Sequence, residues 1–417
     1  MTIISMQHLS TPLILPIMIS ALLFSAPACS NQTAVDTHED LTEYKEGQAS
    51  ASESLASTEK PAFITKKIAT FDEPWAMTAL PAVNNEPPKL LVTQKTGELF
   101  IVDTATGAKT TISGIPKVAY GGQGGLGDIV LAPDFATTNH VYMSYVEAGN
   151  DTDNNKFGAK VIKATLIGLD TAKPRLQDLT PIWEQTPKVK GQGHYSHRLL
   201  FSPDGKYLYI SSGERQEKTP AQDMSVNLGK IIRLNLDGSV PADNPFVDNS
   251  NDIAAQFWTI GHRNVLGMAF DEKGRLWAHE MGPRGGDEFN LIEKGHNYGW
   301  PIVSNGRNYT GTDIPDHETR PEFTPPKISW TPVISPSSMS IYNAGQYNDF
   351  PAWQGNALIS GLSSKALIVV DFDENSHATE RYRYDMGERI RSVLNVDGQV
   401  WVLEDGDNSG LLQLTPQ

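Results

Sequence analysis

The chain has one cysteine, Cys29. That excludes intramolecular disulfides and cysteine-built zinc sites. Positive charge is also scarce: 34 Lys and Arg face 49 Asp and Glu, for a formal charge of −15. So acidic a chain repels phosphate backbones, which argues against a nucleic-acid partner. Helical periodicity is missing from the body of the chain. There is one apolar run, residues 11–24, and Ser-Ala-Pro-Ala-Cys follows it. It is shorter than the ~20 residues of a membrane span. Residues 1–28 therefore read as a secretory signal segment. Ala28 directly precedes the only cysteine, so lipoprotein processing is expected, with lipid on Cys29 as the only membrane link. The alternative is ordinary cleavage near Ala28. Either way the mature protein is expected to be exported, to the periplasm, with outer-membrane anchoring if Cys29 carries lipid.

Turn-formers are plentiful, with 35 Gly and 27 Pro, favouring many short strands. Residues 29–61 are Ser-, Ala- and Glu-rich with almost no large apolar side chains. Such a stretch cannot offset its ordering entropy and reads as a tether. Residues 62–417 have one uniform texture and read as one domain. Within it a turn followed by an apolar-aromatic strand recurs at 96–103, 139–145, 204–213, 273–280, 354–361 and 397–404. Asp-Gly and related turns supply the positive φ of hairpins, and the residues after them prefer strands. Six copies predict an all-β fold, a six-bladed β-propeller of mainly four-stranded antiparallel blades. The mouth of its central channel is the expected ligand site.

Four segments break the pattern. Residues 120–128 contain Gly122-x-Gly124-x-x-Gly127, a formal dinucleotide fingerprint. It lacks the helix that such a site needs, so a glycine loop allowing close backbone approach is the simpler account. In Gly-His-Tyr-Ser-His-Arg (193–198), His194 and His197 are open to three readings: a metal pair, ordinary structural histidines, or a general base. The densest region joins residues 261–267, 280–292 and 295–301. Its Asp287 and Glu288 sit among glycines and a proline, either as a solvated acidic turn or as a calcium site of loop carbonyls and a carboxylate. Lastly, Arg389 and Arg391 are two apart and face one side of a strand. They either pair with acidic neighbours or grip an anion.

Together these segments resemble the glucose/sorbosone dehydrogenase family, the soluble quinoproteins that use pyrroloquinoline quinone (PQQ), and most of all the bacterial aldose sugar dehydrogenases. Five motifs carry the likeness in order: Gly-Gln-Gly-Gly-Leu, His-x-x-x-Arg-Leu, Gly-His-Arg-Asn, Gly-Pro-Arg-Gly-Gly-Asp-Glu with Asn-Tyr-Gly-Trp-Pro, and Arg-Ile-Arg. The resemblance runs from about Glu73 to the end and implies a six-bladed propeller. It also implies that His194 is the catalytic base and that Gln123, Arg263, Asn264, Tyr309, Arg389 and Arg391 contact PQQ. Arg263 would also stabilise charge on the reduced cofactor. The carbonyls of Gly282 and Pro283 would hold a calcium beneath PQQ, and Glu288 with the Tyr298 backbone a second, structural calcium. The implied reaction oxidises an aldose at C1 to a lactone, with electrons leaving to an external acceptor. Two positions depart from the family: Gly193 replaces an acidic residue before the base, and Ser363 stands where a PQQ-contacting lysine is usual, with Lys365 two residues on. The competing functions are a calcium-dependent propeller lactonase and a non-catalytic cell-surface propeller. Neither needs the arginine set.

Overall fold

Most second strands of the sheets are buried along nearly their whole length, as in Tyr207–Ser212, Leu276–Glu280 and Ala357–Gly361. A sheet covered on both faces selects such continuous apolar runs over strict alternation. The computed structural model describes residues 63–82, 86–150 and 155–417. The signal segment, Cys29 and the whole of the tether lie outside the described residues. The described chain forms six four-stranded antiparallel sheets. Five are simple meanders in chain order. The sixth takes its outermost strand, Phe63–Phe71, from the start of the domain and pairs it with Ser409–Pro416. This closure ties the two ends of the propeller together.

The first strand of each blade lines the centre: Pro74–Ala79, Leu126–Leu131, Ser196–Phe201, Val265–Phe270, Pro336–Ile341 and Ile390–Val396. Each packs against the next, and the last returns to the first. Apolar layers fill the wedges between blades, such as Phe63, Phe350, Trp353 and Tyr384. Five of the six sequence repeats are the second strands of blades 2 to 6. The first repeat instead marks the third strand of blade 1, Glu98–Asp103. The second strand there, Lys89–Gln94, follows Pro87-Pro88 and not an Asp-Gly turn. The glycine loop leads into the strand Leu126–Leu131 and not a helix, so the dinucleotide fingerprint lacks its context. Among the described residues no helix is long and apolar enough to cross a membrane.

One side chain braces the centre. Arg198, on the inner strand of blade 3, donates from Nε to Leu266 O in blade 4 at 2.7 Å and from Nη2 to Ser337 O in blade 5 at 3.1 Å. Its Nη1 lies 3.6 Å from Asp128 in blade 2. Its guanidinium stacks 3.8 Å from the Trp75 ring of blade 1. One residue thus joins five blades across the channel.

Candidate active site

Inner strands begin, and second strands end, at the same mouth of the channel, because the two are antiparallel. Three acids stand at the ends of second strands: Glu214, Glu280 and Asp405. Each receives a side chain from just before the inner strand of its own blade. Glu214 takes His194 Nδ1 at 2.5 Å, Glu280 takes His262 Nδ1 at 2.8 Å, and Asp405 takes Arg389 Nε at 2.8 Å.

His194 is buried in a left-handed conformation, φ 48°. Its backbone N–H donates to Gln123 Oε1 at 2.7 Å. Burial and the nearby Arg263 charge drive its pKa down to about 4, against the pull of Glu214. Burial would raise Glu214, but its bond to His194 and the Lys218 backbone N–H outweigh this and keep it below the usual range. A carboxylate facing Nδ1 makes that nitrogen the donor, leaving Nε2 as the unprotonated one. Such an imidazole can accept a proton at neutral pH. His197 faces elsewhere: it stacks on Trp75 at 4.9 Å and bonds Ser144 Oγ through Nδ1 at 2.8 Å. The two histidines do not form a metal pair. Glu214 escaped the sequence reading, although acids one residue past a repeat, or at its end, were visible at 214, 280 and 405.

Arg263 is the next link. Its carbonyl accepts the Glu214 N–H at 2.9 Å. Its Nη1 donates to Gly282 O at 2.7 Å and Met281 O at 3.1 Å, and Nη2 reaches the Tyr309 hydroxyl at 3.3 Å. Its buried Nε has no partner. Tyr309 is 59% exposed, free to meet a ligand at the rim. Asn264 is buried and accepts the Ser196 hydroxyl at 2.9 Å. The structure thus joins Gln123, His194, Arg263, Gly282 and Tyr309 in one chain of contacts.

Arg389 and Arg391 take the acidic-neighbour arrangement. Both bond Asp405, from Arg389 Nε at 2.8 Å and Arg391 Nε at 2.7 Å. Burial would raise Asp405, but Arg391 and Arg389 together hold it below its ordinary value. One carboxylate cannot saturate two guanidinium forks, so the pair keeps donors for an anion. Arg263, with its unpartnered Nε, adds a third guanidinium, and together they offer donors of the kind a carboxylate ligand needs. Ser363 bonds the Ser335 hydroxyl at 2.8 Å. Lys365 bonds Gly387 O at 3.2 Å.

Asp287 is committed to backbone, accepting the N–H groups of Gly282, Ile334 and Ser335 at 2.7–2.8 Å. Glycine is required at 282, because a Cβ there would meet Gly286 O at 2.3 Å. Pro283 beside it is buried. Glu288 lies directly across the strand pair from Glu280. Both are buried, and Asn290 Nδ2 bridges them at 3.1 and 3.4 Å. Burial and the Glu280 charge push Glu288 well above the usual carboxylate range. Among the described residues no lysine or arginine pairs with Glu288. Asn290 Oδ1 is buried without a partner. A small cavity bounded by Glu280, Gly282, Glu288, Tyr298 and Ser304 opens beside them. Paired acids, an orphaned amide oxygen and loop carbonyls suit a hard divalent cation. The Tyr298 carbonyl also accepts His317 Nε2 at 3.1 Å. Among the described residues no group of three or more His, Cys, Asp or Glu gathers as a metal cage, so amide and backbone carbonyl oxygens would have to complete the two carboxylates around any ion here.

The profile of the Glucose / Sorbosone dehydrogenase family matches residues 71–413. An aldose sugar dehydrogenase of Escherichia coli (strain K12) is 38% identical over 354 residues, covering 83% of this chain and 91% of its own length. Quinoprotein glucose dehydrogenase B of Acinetobacter calcoaceticus is 32% identical over 392 residues, with coverage of 76% and 80%. Among solved structures, a soluble aldose sugar dehydrogenase from Escherichia coli in the apo-form superposes with a TM-score of 0.76 at 36% identity, covering 85% of this chain and 100% of that one. The PQQ-bound form of an aldose sugar dehydrogenase from Streptomyces coelicolor superposes with a TM-score of 0.67 at 27% identity, covering 86% and 99%.

Proposed function

This chain belongs to the glucose/sorbosone dehydrogenase family and is an oxidoreductase of it, and on that footing we propose that it oxidises aldose sugars at C1 to lactones, using PQQ and calcium and passing electrons to an external acceptor. The observation that carries this reading is the neutral His194 held by Glu214 beside Arg263. His194 takes the proton of the C1 hydroxyl at Nε2. Glu214 fixes the tautomer and balances the charge that the ring gains. PQQ, when bound, supplies the two-electron acceptor for the C1 hydride, with calcium as a Lewis acid on its carbonyl. Arg263, Arg389 and Arg391 bind its carboxylates, and Arg263 also faces developing negative charge. Gln123, Asn264 and Tyr309 complete the cofactor pocket. The carbonyls of Gly282 and Pro283 serve the calcium at the cofactor, and Glu288 with Tyr298 O a second one. Residues 1–28 export the protein and Cys29 carries its lipid. The test is addition of PQQ and calcium to purified apoprotein, with dye reduction measured across an aldose panel. No sugar-dependent reduction at saturating PQQ would reject the reading.

The titration of His194 sets a pH dependence. An imidazolium cannot accept a proton, so kcat/KM should fall as pH drops through about 4 and level off above it. Glu214 raises the His194 pKa. In Glu214→Gln the acid limb should therefore move to lower pH, with a lower plateau because the ring is less well aligned. A limb that stays in place would show that Glu214 does not act through His194.

Glu288→Gln should separate the two ion roles. Without calcium the variant should melt at or above the wild-type temperature, because glutamine removes the cost of burying a carboxyl beside Glu280. On adding calcium the wild type should gain stability that the variant lacks, since an ion bound only by the native state stabilises it by mass action. Equal calcium-induced shifts in both melting curves would remove Glu288 from the ligand set.

A further inference from the structure

Gly193 lies immediately before His194. A Cβ built on it meets the Gln216 carboxamide at 2.5 Å. Gln216 therefore lies against the residue next to the base, and its Cα is two residues from the Glu214 that aligns that base. Gln216 is exposed, and its carboxamide makes no hydrogen bond among the described residues. The backbone that carries it is held in an unfavourable shape. Arg215, Gln216 and Lys218 have φ of 60°, 62° and 62°, a left-handed region disfavoured for residues with a Cβ.

What holds this segment is visible on either side of Gln216. Arg215 is buried, and its guanidinium donates to Gly193 O at 2.8 Å, Gly191 O at 2.7 Å and Phe157 O at 2.6 Å. The Lys218 N–H donates to Glu214 Oε2 at 2.5 Å, and its Nζ reaches Asn308 Oδ1 at 3.0 Å, beside Tyr309. Segments 191–195 and 214–218 thus form one rigid unit around His194. The clamps engage Arg215 and Lys218 and leave the Gln216 side chain free. Strain kept by such over-determination, with a free polar group at its apex, points to ligand contact.

Resting on the reading of His194 as the base for the C1 hydroxyl, we infer that Gln216 is a specificity-determining residue whose carboxamide binds the hydroxyl next to the reacting carbon of an uncharged aldose. A carboxamide offers one donor group and one acceptor, and a hydroxyl can answer both. It provides no counter-charge, so the site selects a neutral substituent at C2 over an ammonium.

The test compares protein loaded with PQQ and calcium as wild type, Gln216→Ala, Gln216→Glu and Gly193→Ala. Substrates are the best aldose of a panel, its 2-deoxy analogue and its 2-amino analogue. Gln216→Ala should raise KM for the parent sugar about tenfold, leave kcat within about twofold, and leave the 2-deoxy sugar unchanged. Gln216→Glu should raise the preference for the 2-amino sugar over the parent at least about tenfold. Gly193 does not have a positive φ, so alanine fits its backbone while displacing the carboxamide. Gly193→Ala should therefore mimic Gln216→Ala and add nothing to it in the double variant. Equal losses on the parent and 2-deoxy sugars in Gln216→Ala would overturn the inference. Calorimetric sugar binding separates it from the catalytic reading. Gln216-dependent preference for the 2-hydroxyl without turnover would keep the inference and reject the reading. Gln216-independent binding would reject the inference alone, and no binding of any sugar would reject both.

Discussion

Replacing His194 with glutamine is expected to lower kcat by at least about 100-fold, because a positioned general base contributes roughly 10²–10⁴-fold. Glutamine keeps an N–H for Glu214 but cannot take a proton. Because His194 is already neutral at pH 7, the substitution removes no charge, so folding and PQQ affinity should stay near wild type. The measurements are steady-state kcat with an artificial acceptor, a melting curve and a PQQ titration. Near-normal turnover would place the base elsewhere. His197 would not inherit the role, since its ring is closed in between Trp75 and Ser144.

Arg198→Met is expected to cost about 3–5 kcal/mol of stability at neutral pH, the usual loss when one partner of a buried ion pair is removed. Asp128 would stay fully buried without its cation, and the bonds to Leu266 O and Ser337 O would go as well. Burial already holds the Asp128 pKa above its ordinary value despite Arg198. Losing that cation raises it further. A carboxyl whose folded pKa lies above its unfolded value binds more protons when folded, so stability falls as pH rises through that window. The melting deficit of the variant should therefore be smaller at pH 5 than at pH 7. Asp128→Asn in the same background should recover part of it. A deficit under about 1 kcal/mol, with no pH dependence, would show that the brace is not needed.

By itself the sequence determined the architecture, because local chemistry repeats with the blades. Asp-Gly turns and apolar strands such as 204–213 and 397–404 are short-range signals, readable without neighbours. Blade 1 shows the limit of such signals: its second strand follows two prolines, and only pairing with Pro74–Ala79 identifies it. The site motifs were legible too, since glycine loops and the His, Arg and Glu-rich segments stand out against strand texture. Tertiary structure decided what those side chains do. Glu214 becomes the partner of His194, and Asp405 the shared anion of Arg389 and Arg391, only when antiparallel strands bring their ends to one mouth. Arg198 read as one letter of a motif until five blades closed around it, and Gln216 as an unremarked polar residue until its carboxamide lay over Gly193. Hydrogen bonds and charge pairs between residues 14 to 139 positions apart leave no periodicity in the chain. Strand and turn preferences are local, whereas the burial and neighbouring charge that set a side chain's protonation exist only once the blades have closed.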